Sequence, residues 1–345
     1  MKRCLAAVLG MTFLLSNFMS PVANAGLNAE IDTTNPRVVP VYGSSIEAPP
    51  NSGDQASFSG FLYSSRIVFS AAHSEYHLDS ENNKVNFGNK YHFIGKPNST
   101  AGDYSGLVRV EKKFISKTYR YDGATLGDFV VYVLEKDLIQ APPVKLLTPE
   151  LETLIRESKT PIKMHGYGEY QDRCQEGEKL PCSSKYKKTT LPRTLTTVLR
   201  TLEEAENIVG YQRPQLANSL IMNNGKTGFG CGGDSGGSVT TTYKGEFIYL
   251  STTPNGMNGY ACGASGYDDG KGGINYASAV YMHMDVIKEA EDYVAAALAR
   301  EAALKAEAKP TPSPTKAAPL PSKKPTICVK GKTTKKVTTP KCTKK

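Results

Sequence analysis

The chain is predicted to be all-β and built from antiparallel barrels, because two sets of short apolar runs alternate with turn formers. In the first set, residues 58–63, 67–69, 85–87, 91–94, 107–110 and 129–134 are rich in Val, Ile, Tyr and Phe, with Asn, Gly, Ser and Pro between them. Such residues pack well on a pleated surface, and the turn formers reverse the chain. A second set follows at residues 162–166, 195–202, 219–222, 236–242, 247–251 and 277–282. Many short strands at close spacing are the pattern of a closed antiparallel sheet. A sustained helical pattern comes only near the end, where Val286, Ile287, Ala290, Val294, Ala297 and Leu298 recur at helix-compatible spacing in residues 285–308.

Residues 1–25 open with Lys2 and Arg3, run through an apolar stretch and close on Ala23-Asn24-Ala25, which reads as a secretory signal peptide. The alternative, a membrane anchor, needs a longer apolar run to cross about 30 Å of hydrocarbon. The mature chain is therefore expected to be secreted, with no transmembrane segment. Residues 26–37 read as a pro-segment or loose arm, residues 38–143 as the first barrel and residues 144–284 as the second. The crossing between them carries Pro142-Pro143 and a helical fragment. Residues 170–190 form a polar, lysine-rich loop containing Cys174 and Cys182. After the helix, residues 309–325 are a semi-rigid linker rich in Pro and Lys. Residues 326–345 are a short basic tail containing Cys328 and Cys342, expected to be disordered or a hairpin held by those two cysteines.

The formal net charge is +9, yet residues 309–345 hold eleven lysines and no acid. Removing those and the two basic residues of the signal leaves −4 for residues 26–308. The basicity belongs to the tail, which argues against a nucleic-acid enzyme. An exported lysine tail is suited to an anionic surface such as cell-wall polymer or lipid headgroups. The alternative is a solvated spacer.

The stretch with most chemistry is Gly230-Cys231-Gly232-Gly233-Asp234-Ser235-Gly236-Gly237. A serine hydroxyl is a poor nucleophile until a base takes its proton. Glycines on both sides let the backbone turn sharply and let a substrate carbonyl approach backbone N–H groups. Of the five histidines, His73 has the most telling context, ending the run Ile67-Val68-Phe69-Ser70-Ala71-Ala72-His73, since strand ends are where catalytic groups are commonly held. Taken alone, the glycine-rich stretch also fits a flexible surface turn.

Ser70-Ala71-Ala72-His73 together with Gly233-Asp234-Ser235-Gly236-Gly237 resembles the trypsin/chymotrypsin-like serine protease family, in which the catalytic groups follow the order His, Asp, Ser. The aspartate that the family places at the head of an apolar strand matches Asp128 in Gly127-Asp128-Phe129-Val130-Val131; Asp103 and Asp122 are rivals without such a run. The resemblance spans about residues 38 to 300. It implies two antiparallel six-stranded β-barrels with the active site between them, followed by a C-terminal helix. His73 would be the base, Asp128 its orienting partner and Ser235 the nucleophile. Backbone N–H groups of Gly233 and Ser235 would form the oxyanion hole. No metal and no organic cofactor is implied, and a monomer acting on a polypeptide is expected.

Six cysteines remain after the signal and fall into three local pairs, Cys174 with Cys182, Cys231 with Cys262, and Cys328 with Cys342; zinc-type Cys-x-x-Cys spacing is absent. Cys231–Cys262 matches a disulfide that braces the family's substrate pocket. The family's disulfide beside the catalytic histidine is missing, with Ser74 and Phe58 in its places. Activation by cleavage would free an N-terminus to pair with Asp234, and Arg37-Val38-Val39 and Val41-Tyr42-Gly43 are imperfect matches to the usual start. Phe229 stands where enzymes cutting after Lys or Arg carry an acid. Ser251 matches the serine opening the substrate-binding strand, and Ala279 would narrow the pocket. The expected activity is therefore that of a serine endopeptidase with a small or apolar preference. The alternatives are a catalytically silent binding or adhesion protein held by its lysine tail, and an esterase using the same chemistry.

Overall fold

A computed structural model describes residues 26–27, 29–50, 58–78, 84–86, 89–119, 127–171, 187–188, 190–222, 230, 233–253, 255–257, 274–307, 327–330 and 333–336. The chain divides into two units, residues 1–294 and 295–345. The first unit is mostly β and contains one closed barrel of six strands: Val38–Ser44, Phe58–Ser64, Ile67–Ser70, Tyr91–Ile94, Val108–Ile115 and Val130–Leu134. All pairings around it are antiparallel. Closure leaves no strand edge unpaired.

The strand Val130–Leu134 explains why its run is apolar without interruption. Val130, Tyr132 and Leu134 fill the barrel together with Val39, Leu62, Val68 and Ile94. Its alternate residues, Val131 and Val133, with Phe129, face the other way and pack with Phe61, Phe69, Met164, Val239, Tyr249 and Leu250 of a second core. Successive side chains point to opposite faces of a strand, so a strand buried on both faces must be apolar throughout. Aromatic rings fill this second core. Phe61 lies 4.5 Å and Phe69 5.2 Å from Tyr249, and Phe69 lies 5.1 Å from Phe129, centroid to centroid.

The second half of the unit is arranged as two sheets. One has six strands in the order Lys145–Leu146, Glu246–Thr252, Ser238–Tyr243, Ile162–Gly166, Arg193–Thr197 and Glu30–Ile31. The other has four, ordered Leu199–Arg200, Leu220–Met222, Ile274–Ala277 and Asn255–Met257. Among the described residues these sheets do not close into a second barrel. Two stretches of chain pass from one sheet to the other, at Val198 and between Thr252 and Asn255, so that each leaves its first sheet as an interrupted strand. Chain segments that switch sheets in this way turn the corners between packed sheets.

Residues 26–37 read from sequence as a pro-segment or arm; of these, residues 29–35 are bound into this half and Arg37 to the first barrel. Ile31 and Glu30 pair with Arg193 and Thr194, Asp32 N–H donates to the Pro192 carbonyl at 3.0 Å, and Ala29, Asp32 and Asn35 are buried. The Arg37 guanidinium donates to the carbonyls of Leu62, Tyr63 and Pro142.

Two of the helices have clear local causes. Pro149–Glu157 starts at Thr148, whose side chain accepts from Leu151 N–H, with Pro149 in the first turn. Leu202–Val209 has a full capping box of Thr201 and Glu204 and ends at Gly210 with φ 81. The apolar run predicts a strand over residues 195–202, whereas a helix starts at Leu202. Met284–Glu307 is the long C-terminal helix. In the first unit it buries Val286, Ile287 and Ala290, while Tyr293 donates to Glu111 and Glu291 accepts from Tyr63, both at 2.8 Å. In the second unit, the rest of this helix exposes Leu298 and Leu304, and Ile327–Lys330 pairs antiparallel with Thr333–Lys336 as a hairpin. No helix among the described residues is long and apolar enough to cross a membrane.

Candidate active site

The strand Ile67–Ser70 ends in Ala71, still extended at φ −86 and ψ 135, and the chain then tightens into the 3-10 turn Ala72–Ser74. This break projects His73 from the rim of the barrel with its side chain 17% exposed. Asp128 lies at the start of the neighbouring strand and grips the same residue twice. Its Oδ1 accepts from the His73 backbone N–H at 2.8 Å, and its Oδ2 lies 2.6 Å from Nδ1. An ionised carboxylate only accepts, so Nδ1 carries the proton and Nε2 is left as the basic nitrogen. Burial disfavours the imidazolium, but the charge and hydrogen bond of Asp128 outweigh it and raise the His73 pKa above its ordinary 6.5.

Asp128 is itself well placed by its surroundings. Gly127 precedes it at φ 108, and a Cβ there would lie 2.6 Å from the Thr118 carbonyl carbon, so only glycine fits. Phe129 stacks on His283 with ring centroids 4.6 Å apart. His283 is buried between Ser116 Oγ at 3.1 Å and Ser278 Oγ at 2.7 Å. Of the rival aspartates, Asp103 is exposed and accepts from Ser105 N–H, and Asp122 lies outside the described residues.

Ser235 occupies the second position of a tight turn in which Gly237 N–H donates to the Asp234 carbonyl at 2.9 Å. Gly236, at the third position, has φ 81, the conformation a type II turn requires there. A Cβ on Gly236 would lie 2.1 Å from Ser70 Oγ, 2.4 Å from the Ser59 carbonyl oxygen and 2.9 Å from Ala71 N. The turn is thus pressed against the end of the strand that carries His73. The Ser235 carbonyl accepts from Ser59 N–H at 2.9 Å, and Ser235 remains partly exposed. His73 donates its backbone N–H and Nδ1–H to Asp128, and Ser235 is held in the same corner by its main chain.

The other sequence-predicted residues sit as follows. Gly233 has φ 87 and its carbonyl accepts from Ser59 Oγ. Asp234 is buried, and its Oδ1 accepts from Gly168 N–H at 2.9 Å. Ser251 is buried in the strand Glu246–Thr252 and donates to the Thr252 carbonyl, while Thr252 Oγ1 reaches the Asp128 carbonyl at 3.5 Å. Phe229 and the expected bridges Cys174–Cys182 and Cys231–Cys262 lie outside the described residues, as does Cys342; Cys328 is on the hairpin strand Ile327–Lys330.

Sequence reading missed the polar support beneath the histidine turn. Ser74 Oγ donates to the Ala71 carbonyl at 2.5 Å and lies 2.9 Å from Tyr132 Oη. Tyr132 donates to Glu75 Oε1 at 2.6 Å, and Lys113 donates to Glu75 Oε2 at 2.7 Å. The edge of Phe58 meets the His73 ring at 6.0 Å. These contacts occupy the two positions at which the resembled family carries a disulfide. Their only sequence signal was polar residues in and beside otherwise apolar runs.

A separate cavity of about 430 Å³ lies where residues 32–36 meet the six-stranded sheet, lined by Asp32, Asn35, Lys163, His165 and Thr240 among others. It contains none of His73, Asp128 or Ser235. No cluster of three or more metal-ligating side chains occurs among the described residues. No family model matches the chain, and no curated protein matches its sequence.

Proposed function

We propose that the chain is a secreted serine endopeptidase of trypsin/chymotrypsin-like type, hydrolysing peptide bonds through an acyl-enzyme on Ser235. The observation that carries this reading is the double contact of Asp128 with His73 beside the turn that bears Ser235. In this reading the two sheets of the second half are the counterpart of the first barrel, and the substrate lies between the halves.

Ser235 Oγ attacks the peptide carbonyl while His73 Nε2 takes its proton, and the imidazolium formed is stabilised by Asp128. The proton then passes to the leaving amine, and water repeats the sequence to release the acid. Nucleophile–base hydrogen bonds are commonly long before substrate binds and tighten in the complex. The N–H groups of Gly233 and Ser235 receive the oxyanion, each such donor contributing roughly 3 kcal/mol in comparable sites.

Phe229 in place of an acid, with Ala279 where the resembled family often has glycine, favours a small or apolar side chain before the scissile bond. The lysine tail holds the protein to an anionic cell-surface polymer. Peptides carrying Ala, Leu or Arg before the cleaved bond test the activity. The reading expects hydrolysis of the Ala and Leu peptides, abolished in Ser235→Ala. Turnover confined to the Arg peptide contradicts the specificity, and a folded chain that cleaves none of them contradicts the endopeptidase assignment.

A further inference from the structure

Ser59 is where the barrel grips the serine loop. It follows Phe58 in the strand Phe58–Ser64, is fully buried, and uses every hydrogen-bonding group it has. Its N–H donates to the Ser235 carbonyl at 2.9 Å, and its hydroxyl donates to the Gly233 carbonyl at 2.9 Å. The same hydroxyl oxygen accepts from Tyr167 N–H at 2.8 Å, and the Ser59 carbonyl accepts from Ser70 Oγ at 2.9 Å. One residue of the first barrel therefore holds carbonyls on both sides of Asp234.

This matters because one proposed oxyanion donor, the Ser235 N–H, sits on the Asp234–Ser235 peptide, between the Gly233–Asp234 and Ser235–Gly236 peptides whose carbonyls Ser59 holds. A peptide plane reorients by counter-rotating ψ of one residue against φ of the next, and Gly233, with φ 87 and no Cβ, resists such rotation poorly. The hydrogen bond from the Ser59 hydroxyl supplies the resistance that the side chain of Gly233 cannot. Preorganised donors stabilise developing charge only while they stay aimed.

We propose that Ser59 is a positioning residue whose hydroxyl pins the Gly233–Asp234 peptide and so keeps the adjoining Ser235 N–H directed at the substrate oxyanion. The assignment rests on the serine-endopeptidase reading given above. Ser59 does not touch substrate and acts through the loop.

The test uses the full secreted chain as wild type, Ser59→Ala and Ser59→Thr, with active sites counted by a fluorophosphonate probe. Per labelled site, Ser59→Ala is expected to lose kcat by about 10- to 100-fold, less than the 10²–10³ for deleting an oxyanion donor outright, with KM changed by less than about threefold. Affinity for a peptidyl trifluoromethyl ketone, whose hemiketal oxygen mimics the oxyanion, is expected to fall in parallel. The pH limb set by His73 stays in place, and Ser59→Thr recovers most of the rate. Should Ser59→Ala not fold, Ser59→Cys, nearly isosteric but a weak donor, gives the same reading. Unchanged kcat per labelled site, or a fall without weaker ketone binding, overturns the proposal alone. A wild type that takes no label overturns the endopeptidase reading and the proposal with it.

Discussion

Asp128 reaches both the main chain and the ring of His73, so the carboxylate fixes where the imidazole sits as well as which nitrogen is protonated. Asp128→Asn would keep a hydrogen bond but favour the wrong tautomer, and kcat is expected to fall by about 10⁴-fold. In the proposed reaction the base acts when neutral, and the pKa of His73 is raised above 6.5. In wild type, kcat/KM should therefore climb with pH along a limb centred above 6.5. A limb centred below that value contradicts the Asp128–His73 coupling. At this scale the sequence was informative, because Ser70-Ala71-Ala72-His73, Gly127-Asp128 and Gly233-Asp234-Ser235-Gly236-Gly237 are local patterns. Ser59 and Glu75 were not legible. Their roles depend on contacts such as Ser59 with Gly233, 174 positions apart, or Glu75 with Tyr132, 57 apart.

Elements explain why these patterns could be read and where reading stopped. Strands such as Val130–Leu134 bury both faces, leaving long apolar runs, whereas the helix Leu202–Val209 follows directly on a strand run and is marked in the sequence only by its Thr201–Glu204 capping box. The two-sheet form of the second half has no local signal, since it depends on chain that switches sheets. The serine turn offers a sharp test at this scale. Gly236 and Gly245 have nearly equal φ, 81 and 84, but a Cβ would clash at 2.1 Å in the first and meet nothing within 4 Å in the second. Gly245→Ala should cost only the strain of a left-handed residue, roughly 1–2 kcal/mol. Gly236→Ala should in addition displace Ser235 from the end of the histidine strand and abolish turnover. Equal activity in the two variants contradicts the packed-turn description.

Over the whole molecule, three buried histidines link stability to pH. Burial lowers the pKa of His92, His165 and His283 from 6.5, to about 4 for His92 and His283. Between those values the unfolded chain binds protons that the folded chain does not, so stability falls as pH drops, by roughly 1.4 kcal/mol per unit for each histidine fully engaged. His73 has the opposite sign, its contribution being present below 6.5 and lost as pH rises through its raised value. Three depressed histidines against one raised predict a melting temperature that drops clearly between pH 7 and pH 4.5; a flat profile contradicts their burial as neutral groups. Charge is divided along the chain as well, −4 over residues 26–308 against eleven tail lysines. Removing residues 309–345 should release the protein from an anionic surface in low salt, and unchanged retention would remove that role.

The most direct test of the central claim is whether Ser235 is an activated nucleophile. The protein is treated with a fluorophosphonate and mapped by peptide mass, with Ser235→Ala and His73→Ala alongside. The account predicts a single adduct on Ser235 that is lost in both variants, because the hydroxyl reacts only when His73 can take its proton. A folded protein that takes no label, or one labelled equally well without His73, would contradict it.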